Sequence, residues 1–238
     1  MVKWTLKIGK VNLGRVSKIA VVLSDNGDLI DKSLIEGTDI AELRIDQFKD
    51  ITLGNIVDVI GKVKRLSLPV IGTIRPKKEG GRRNISSSKR LKLFKKISPL
   101  VDAVDIELSS RKILSKVISL AKSGRKAVIV SYHNFTKTPP LSFLTRKIIS
   151  AKKKGADIVK ISTRVNSQED FLRLLRLTID KKEDNLIVIA MGRKGISSRV
   201  FFPLIGSLLT YAYVDKPSAP GQVSLPEMNR ILKFLKCS

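Results

Sequence analysis

The sequence predicts an α/β protein, a single-domain (β/α)8 TIM barrel spanning residues 1–238, on three observations. First, a short apolar strand followed by a segment of helical period recurs eight times along the chain. Second, neither a Gly-x-Gly-x-x-Gly fingerprint nor a P-loop follows the first strand, where Ser24-Asp-Asn-Gly27 stands. That disfavours a doubly wound nucleotide-binding sheet, which uses the same units. Third, reactive side chains collect at the C-terminal ends of the strands, the end at which such barrels carry chemistry.

Ahead of Lys18, the alternation in Trp4-Thr-Leu-Lys-Ile8 predicts a short β-hairpin closing the base of the barrel. Strands are expected over 18–24, 40–46, 70–75, 103–108, 127–133, 156–162, 186–192 and 211–215. Between them Ile56, Val59, Ile60 and Val63 fall at helical spacing, as do Phe171, Leu174, Leu175 and Thr178, and then Met228, Ile231, Leu232 and Leu235. Asn166 with Glu169 and Ser224 with Glu227 have the spacing of capping boxes, and Gly124 and Gly155 stand where helices should stop. The helix over 226–236 ends the chain as an eighth barrel helix should.

At 238 residues and 42% hydrophobic content, the chain can bury a sizeable core. No apolar run approaches the ~20 residues of a membrane span, and the lysine-broken start is not that of a signal peptide. Cys237, the lone cysteine, supports neither a disulfide framework nor a metal cluster, which fits the cytoplasm. Forty-six basic against twenty-one acidic residues leave a net +25. Such a surface attracts polyanions without specificity. With 5% aromatics there is little on which to stack bases, and runs such as 152–154 and 181–182 sit where they complement helix dipoles. No membrane partner and no specific nucleic acid are therefore expected.

The candidate site is built from strand ends. The second strand places Glu42, Arg44 and Asp46 on one face, and the third ends at Arg75 before a loop carrying Glu79, Gly80 and Gly81. Asp105 and Glu107 share a face of the fourth. The fifth carries His133, the only histidine, and the sixth carries Lys160 on a run that otherwise reads as buried. Arg199 follows the seventh strand, and a turn-rich loop, 216–222, follows the eighth. Any one of these, taken singly, is better explained by a surface charge or a salt bridge among barrel residues. Together, a lysine on an inner face one strand from a histidine indicates Schiff-base chemistry with an attendant base.

The segments Glu-Leu-Arg-Ile-Asp (42–46), Thr-Ile-Arg (73–75) with Glu-Gly-Gly (79–81), Ser-Tyr-His-Asn-Phe (131–135), Gly-Ala-Asp-Ile-Val-Lys-Ile (155–161), Met-Gly through Ser-Arg (191–199) and Ser-Ala-Pro-Gly-Gln (218–222), in this order, resemble type I 3-dehydroquinate dehydratase. The resemblance implies a hydro-lyase of aromatic amino acid biosynthesis (the shikimate pathway) that converts 3-dehydroquinate to 3-dehydroshikimate. It implies Lys160 as the Schiff-base residue, His133 as base and acid, and Glu79 as its assistant. Arg199, Ser218 and Gln222 would hold the substrate carboxylate, Glu42, Arg44 and Arg75 would read the ring hydroxyls, and Met191 and Phe135 would wall the ring. No metal and no organic cofactor are implied, and a homodimer is compatible with the resemblance. Ser162-Thr163-Arg164 is more polar than the family pattern. The rival readings are another Schiff-base barrel of the class I aldolase type and a basic nucleic-acid-binding protein.

Overall fold

The computed structural model describes residues 6–14, 16, 18–25, 33–217 and 219–236. Trp4 and Thr5 of the expected hairpin, Asn26 and Gly27 after the first strand, Ser218 and Cys237 lie outside the described residues.

The chain opens with an antiparallel ribbon, β1 (Lys7–Ile8) and β2 (Val11–Asn12), paired Ile8 to Val11. Eight parallel strands follow: β3 (Lys18–Leu23), β4 (Ile40–Arg44), β5 (Val70–Thr73), β6 (Ala103–Glu107), β7 (Ala127–Asn134), β8 (Ile158–Arg164), β9 (Leu186–Met191) and β10 (Leu209–Tyr213). A two-residue strand, β11 (Val223–Ser224), pairs with β10. The ladder is continuous from β10 through β3 round to β9. At the remaining seam, the Leu208 amide donates to the Leu186 carbonyl at 2.8 Å. There Ser207 Oγ also accepts the Val188 amide at 3.0 Å and donates to the Leu209 carbonyl at 3.2 Å. A side-chain hydroxyl thus replaces a missing ladder rung and joins β9 to β10.

Helices follow seven of the eight strands: α1 (Leu53–Arg65), α2 (Ser87–Ile97), α3 (Leu114–Ser123), α4 (Leu141–Lys153), α5 (Gln168–Asp180), α6 (Ser198–Ile205) and α7 (Leu225–Lys236). After β3, the described residues hold only a single 3₁₀ turn, Ser33–Ile35, where a helix after every strand was expected. The eighth strand begins at Leu209, two residues before its expected start, because Leu209 and Thr210 pair with Lys18 and Ile19. The helix α5 is capped by Ser167, whose Oγ accepts the Asp170 amide, and not by Asn166; Asp170 reaches back to the Asn166 amide instead. Its seam is Leu174, Leu177 and Thr178, with Phe171 and Leu175 half-buried beside it. Ser224 and Glu227 do form the expected reciprocal cap, and Gly155 takes the left-handed conformation at φ +99°, whereas Gly124 stays at φ −85°.

Alternation sorts each strand into an outer face, which packs under the helices, and an inner face. On the outer side, Leu43 and Ile45 join Ile56, Val59, Ile60 and Val63 of α1 in one core. Inside, the lowest layer is apolar: Ile40, Ile71, Ala103, Ile129, Ile158, Ile187 and Leu209, sealed below by Ile8 and Leu13 of the ribbon. Two residues further along, the same strands bear Glu42, Thr73, Asp105, Ser131, Lys160, Ile189 and Tyr211, all buried. Polarity therefore rises toward the C-terminal ends, and the hairpin keeps water from the base. Among the described residues, no helix is long and apolar enough to cross a membrane.

Candidate active site

Lys160 stands in the middle inner layer on β8, 5% exposed. Its ammonium donates to Glu42 Oε2 at 3.0 Å, to Tyr211 Oη at 3.0 Å and to Asp105 Oδ2 at 3.3 Å. It also lies 4.1 Å from the centre of the Tyr211 ring, within cation–π range. Burial is the largest influence on Glu42 and works to raise its pKa, but Lys160, Arg75 and Arg44 together hold the carboxyl below its ordinary value. Burial also opposes the charge of Asp105, yet Arg75 and then Lys160 keep it far below the usual carboxylate range. Burial and the neighbouring Glu42 push the Tyr211 hydroxyl well above its ordinary value, so it stays protonated.

Arg75, two residues beyond the end of β5, was expected to read substrate hydroxyls. Its guanidinium is instead committed to protein carboxylates. It grips Asp105 with both terminal nitrogens at 3.0 and 2.9 Å, Glu107 at 2.8 Å and Ser131 Oγ at 2.7 Å. Glu107 is held on its other oxygen by Arg90 of α2 at 2.6 Å and by Ser110 at 2.7 Å. The physical reason is local charge: three buried carboxylates, Glu42, Asp105 and Glu107, lie within 4 Å of Arg75 and require a cation. Arg44 is likewise part-spent, pairing with Asp46 through Nε and Nη2 and donating to the Gly80 carbonyl. Asp46 also accepts the amides of Arg75 and Arg82, which ties the loop over 76–82 to the barrel rim.

His133, at the top of β7, is paired with Ser162 of β8, while Ser131 is paired with Lys160. Its Nδ1 lies 3.1 Å from Glu79 Oε2, and the same oxygen accepts its amide at 3.2 Å. The other Glu79 oxygen accepts the Ser109 hydroxyl. Burial, followed by repulsion from Arg75, lowers the His133 pKa well below 6.5, so the ring is neutral at pH 7. Burial raises the Glu79 pKa from its usual value, against the Ser109 hydrogen bond. Phe135 stacks against the imidazole with ring centres 6.3 Å apart and planes 15° apart.

Arg199, in the first turn of α6, is 3% exposed and faces the same cavity. Its Nη2 donates to the Pro220 carbonyl at 3.4 Å, and its Nε has no hydrogen-bond partner among the described residues. No carboxylate among the described residues pairs with it, and burial lowers its pKa to about 10, which leaves it a cation at neutral pH. Gln222 accepts the Ala219 amide through Oε1 at 3.2 Å, bracing the loop that carries Pro220. Met191 is buried on the cavity wall.

One cavity is thus lined by Glu42, Arg44, Arg75, Glu79, His133, Phe135, Lys160, Met191, Arg199 and Gln222, every expected site residue except Ser218. It is narrow, with about 70 Å³ free. Three residues that sequence reasoning did not assign bear on it: Tyr211 lines the cavity, while Asp105 and Ser109 hold Lys160 and Glu79 from behind. Tyr211 escaped because it stood at the expected first position of its strand; Leu209 and Thr210 extend the strand ahead of it, which puts Tyr211 in the middle inner layer. Asp105 was placed on the right face but given no role, and Ser109, in the turn after β6, carried no signal. Among the described residues, no group of three or more His, Cys, Asp or Glu is disposed to hold a metal ion.

Residues 19–238 match the family model described as type I 3-dehydroquinase. The 3-dehydroquinate dehydratase of Thermodesulfovibrio yellowstonii is 39% identical over 94% of this chain and 97% of its own. That of Aquifex aeolicus is 40% identical over 90% and 97%. The Aquifex aeolicus crystal structure superposes with a TM-score of 0.81 at 38% identity, covering 91% of this chain and 98% of that one. A type I 3-dehydroquinate dehydratase from Clostridium difficile, crystallised with covalently modified comenic acid, reaches a TM-score of 0.88 at 29% identity, with 98% of each chain covered. A deoxyribose phosphate aldolase from Aeropyrum pernix, at 20% identity and a TM-score of 0.56, shares the fold alone. With a family match over nearly its whole length and relatives near 40% identity, the chain belongs to the type I 3-dehydroquinase family.

Proposed function

We propose that the chain, acting as one catalytic domain over 1–238 in the cytoplasm, dehydrates 3-dehydroquinate to 3-dehydroshikimate through a Schiff base on Lys160. Lys160 Nζ adds to the C3 ketone and water leaves, giving an iminium that withdraws electrons from C2. His133 takes a proton from C2, and the enamine so formed expels the C1 hydroxyl, protonated by His133, as a second water. Hydrolysis of the remaining iminium consumes one water and frees Lys160, so the net change is the loss of one water. One imidazole serves twice because base and acid act in sequence. With Nδ1–H donated to Glu79, Nε2 is left as the working nitrogen.

Arg199 is the seat for the substrate carboxylate: a buried guanidinium without a counter-ion among the described residues completes its charge with an anionic ligand. Gln222 and Ser218 would share that end, and Glu42 and Arg44 the ring hydroxyls. Met191 and Phe135 would wall the ring. Arg75 acts here through Asp105, holding the carboxylate that faces Lys160. The proposed chemistry uses side chains alone.

The observation that carries this reading is the placement of Lys160 and His133 on neighbouring strands, facing one cavity with an unneutralised arginine. Borohydride added with 3-dehydroquinate should fix a covalent mass on Lys160, and Lys160→Ala should remove it. An adduct mapping to Lys154 or Lys194 would refute the assignment.

A further inference from the structure

A concavity larger than the one at Lys160 lies elsewhere on the barrel. A groove of about 730 Å³ runs between α3 and α4, against about 70 Å³ free at the active site. Its walls bring together Lys78, Arg111, Lys147 and Lys154, with the hydroxyls of Ser109 and Ser115, and no carboxylate. None of the four cations forms an ion pair among the described residues. Lys147 is steered by cation–π contacts, 4.9 Å from the Phe143 ring centre and 5.6 Å from that of Tyr132.

The groove lies in the part of the chain that generates most of the unexplained charge. From residue 80 to 156 there are nineteen lysines and arginines against three acids, Asp102, Asp105 and Glu107, a net +16 of the total +25. Helices α2, α3 and α4 contain no acidic residue. Asp105 and Glu107 are consumed inside the barrel, and Asp102 caps the Val70 amide at its base. Helix-dipole complementation explains lysines in the last turns of α2, α3 and α4, but not Arg111 and Lys147, which lie outside them. Four cations crowded into a concave site repel one another until an anion joins them.

The groove also touches the catalytic machinery. Lys78 and Glu79 are adjacent in one 3₁₀ turn, with Lys78 facing the groove and Glu79 facing His133. Lys78 reaches the Ser109 carbonyl at 3.5 Å, while the Ser109 hydroxyl, on the groove wall, donates to Glu79.

We propose that the groove between α3 and α4 binds a small, multiply charged phosphoryl oxyanion, and that Ser109 couples its occupancy to Glu79 and His133. A bound oxyanion competes for the Ser109 hydroxyl and frees one Glu79 oxygen, altering how that carboxylate holds the imidazole. The coupling rests on the catalytic reading of His133 given above; the binding site does not.

Pyrophosphate is the probe. Calorimetric titration of the full chain should show saturable one-to-one binding, weakened about tenfold or more by Arg111→Gln and by Lys147→Gln, the loss expected for one charge-assisted hydrogen bond. Lys160→Ala and Arg199→Gln should leave it unchanged. Absence of saturable binding, or loss of binding in the two cavity variants, would overturn the site. Salt-dependent uptake of a duplex oligonucleotide, indifferent to Arg111→Gln and Lys147→Gln, would reassign the charge to a diffuse polyanion face. For the coupling, pyrophosphate should change kcat without competing with 3-dehydroquinate, and in Ser109→Ala it should bind yet leave kcat unmoved. Competition with substrate, or an unchanged kcat in the parent protein, would overturn the coupling. The calorimetry does not depend on turnover, so a failure of the dehydratase reading leaves the binding result standing.

Discussion

Glu79 holds His133 at two points with a single carboxylate oxygen, taking the backbone amide at 3.2 Å and Nδ1 at 3.1 Å. The ring is therefore fixed to its own strand as well as oriented. Burial and Arg75 lower its pKa, so the neutral base persists below pH 6.5. We expect the acid limb of kcat/KM, followed across pH 4 to 8, to fall below the unperturbed ~6.5 of a free histidine. A limb at 6.5 or above would contradict the buried setting. His133→Ala should still form the borohydride-trapped adduct while turnover drops by a factor of about 10² to 10⁴.

Arg199 makes an unusual stability prediction. Most buried side chains destabilise a protein when cut back, but this one is a cation without a counter-ion among the described residues, which costs free energy in the unliganded fold. Arg199→Gln should leave the midpoint of denaturant unfolding unchanged or raise it, while KM rises by about 10²-fold, as for a lost charged hydrogen bond of ~1.5–3 kcal/mol. Loss of stability with unchanged KM would make Arg199 structural.

The barrel and its reactive pair were legible because both rest on short-range pattern. Period-two alternation fixed which face Lys160 and Glu42 share, and helical spacing placed Ile56 through Val63 under the sheet. What could not be read was how contacts, near and far in sequence, divide the charges. Arg44 and Arg75 look like free cations at strand ends, yet Asp46 occupies the first, and Asp105 and Glu107 occupy the second, across 30 and 32 positions of sequence. The Ser167 cap was missed for a related reason: two polar residues in a row offer two capping registers, and packing of Leu174 and Leu177 selects one.

That division of charge yields a test for Arg75. Its removal leaves the buried Asp105 with Lys160 as its one remaining cation among the described residues, and the buried Glu107 with Arg90. Arg75→Gln should destabilise the fold by ~3–5 kcal/mol, the cost of breaking a buried ion network from one side. Arg75→Lys should recover only part, because an ammonium cannot grip Asp105 with two parallel bonds. The same denaturant series read against KM separates the roles: a stable variant with a raised KM would restore Arg75 as a substrate contact.

The narrow mouth implies that segments over it must move for substrate to enter. With about 70 Å³ free, the cavity is covered by Gly80 and Phe135 on one side and by Ala219 and Gln222 on the other. Gly80 closes its turn at φ +84°, and a methyl group there would come within 2.4 Å of the Phe135 ring. Gly80→Ala should therefore suffer twice, through a conformation that L-residues rarely adopt and through a displaced Phe135 that no longer stacks on His133. Backbone strain of ~1–3 kcal/mol is enough to shift the loop toward an open form. Hydrogen exchange over 79–81 and 216–222 should be faster in the free protein than with substrate or product bound, and the contrast should shrink in Gly80→Ala because its bound form no longer closes. Equal protection of these segments in the free and bound parent protein would show that the mouth does not gate.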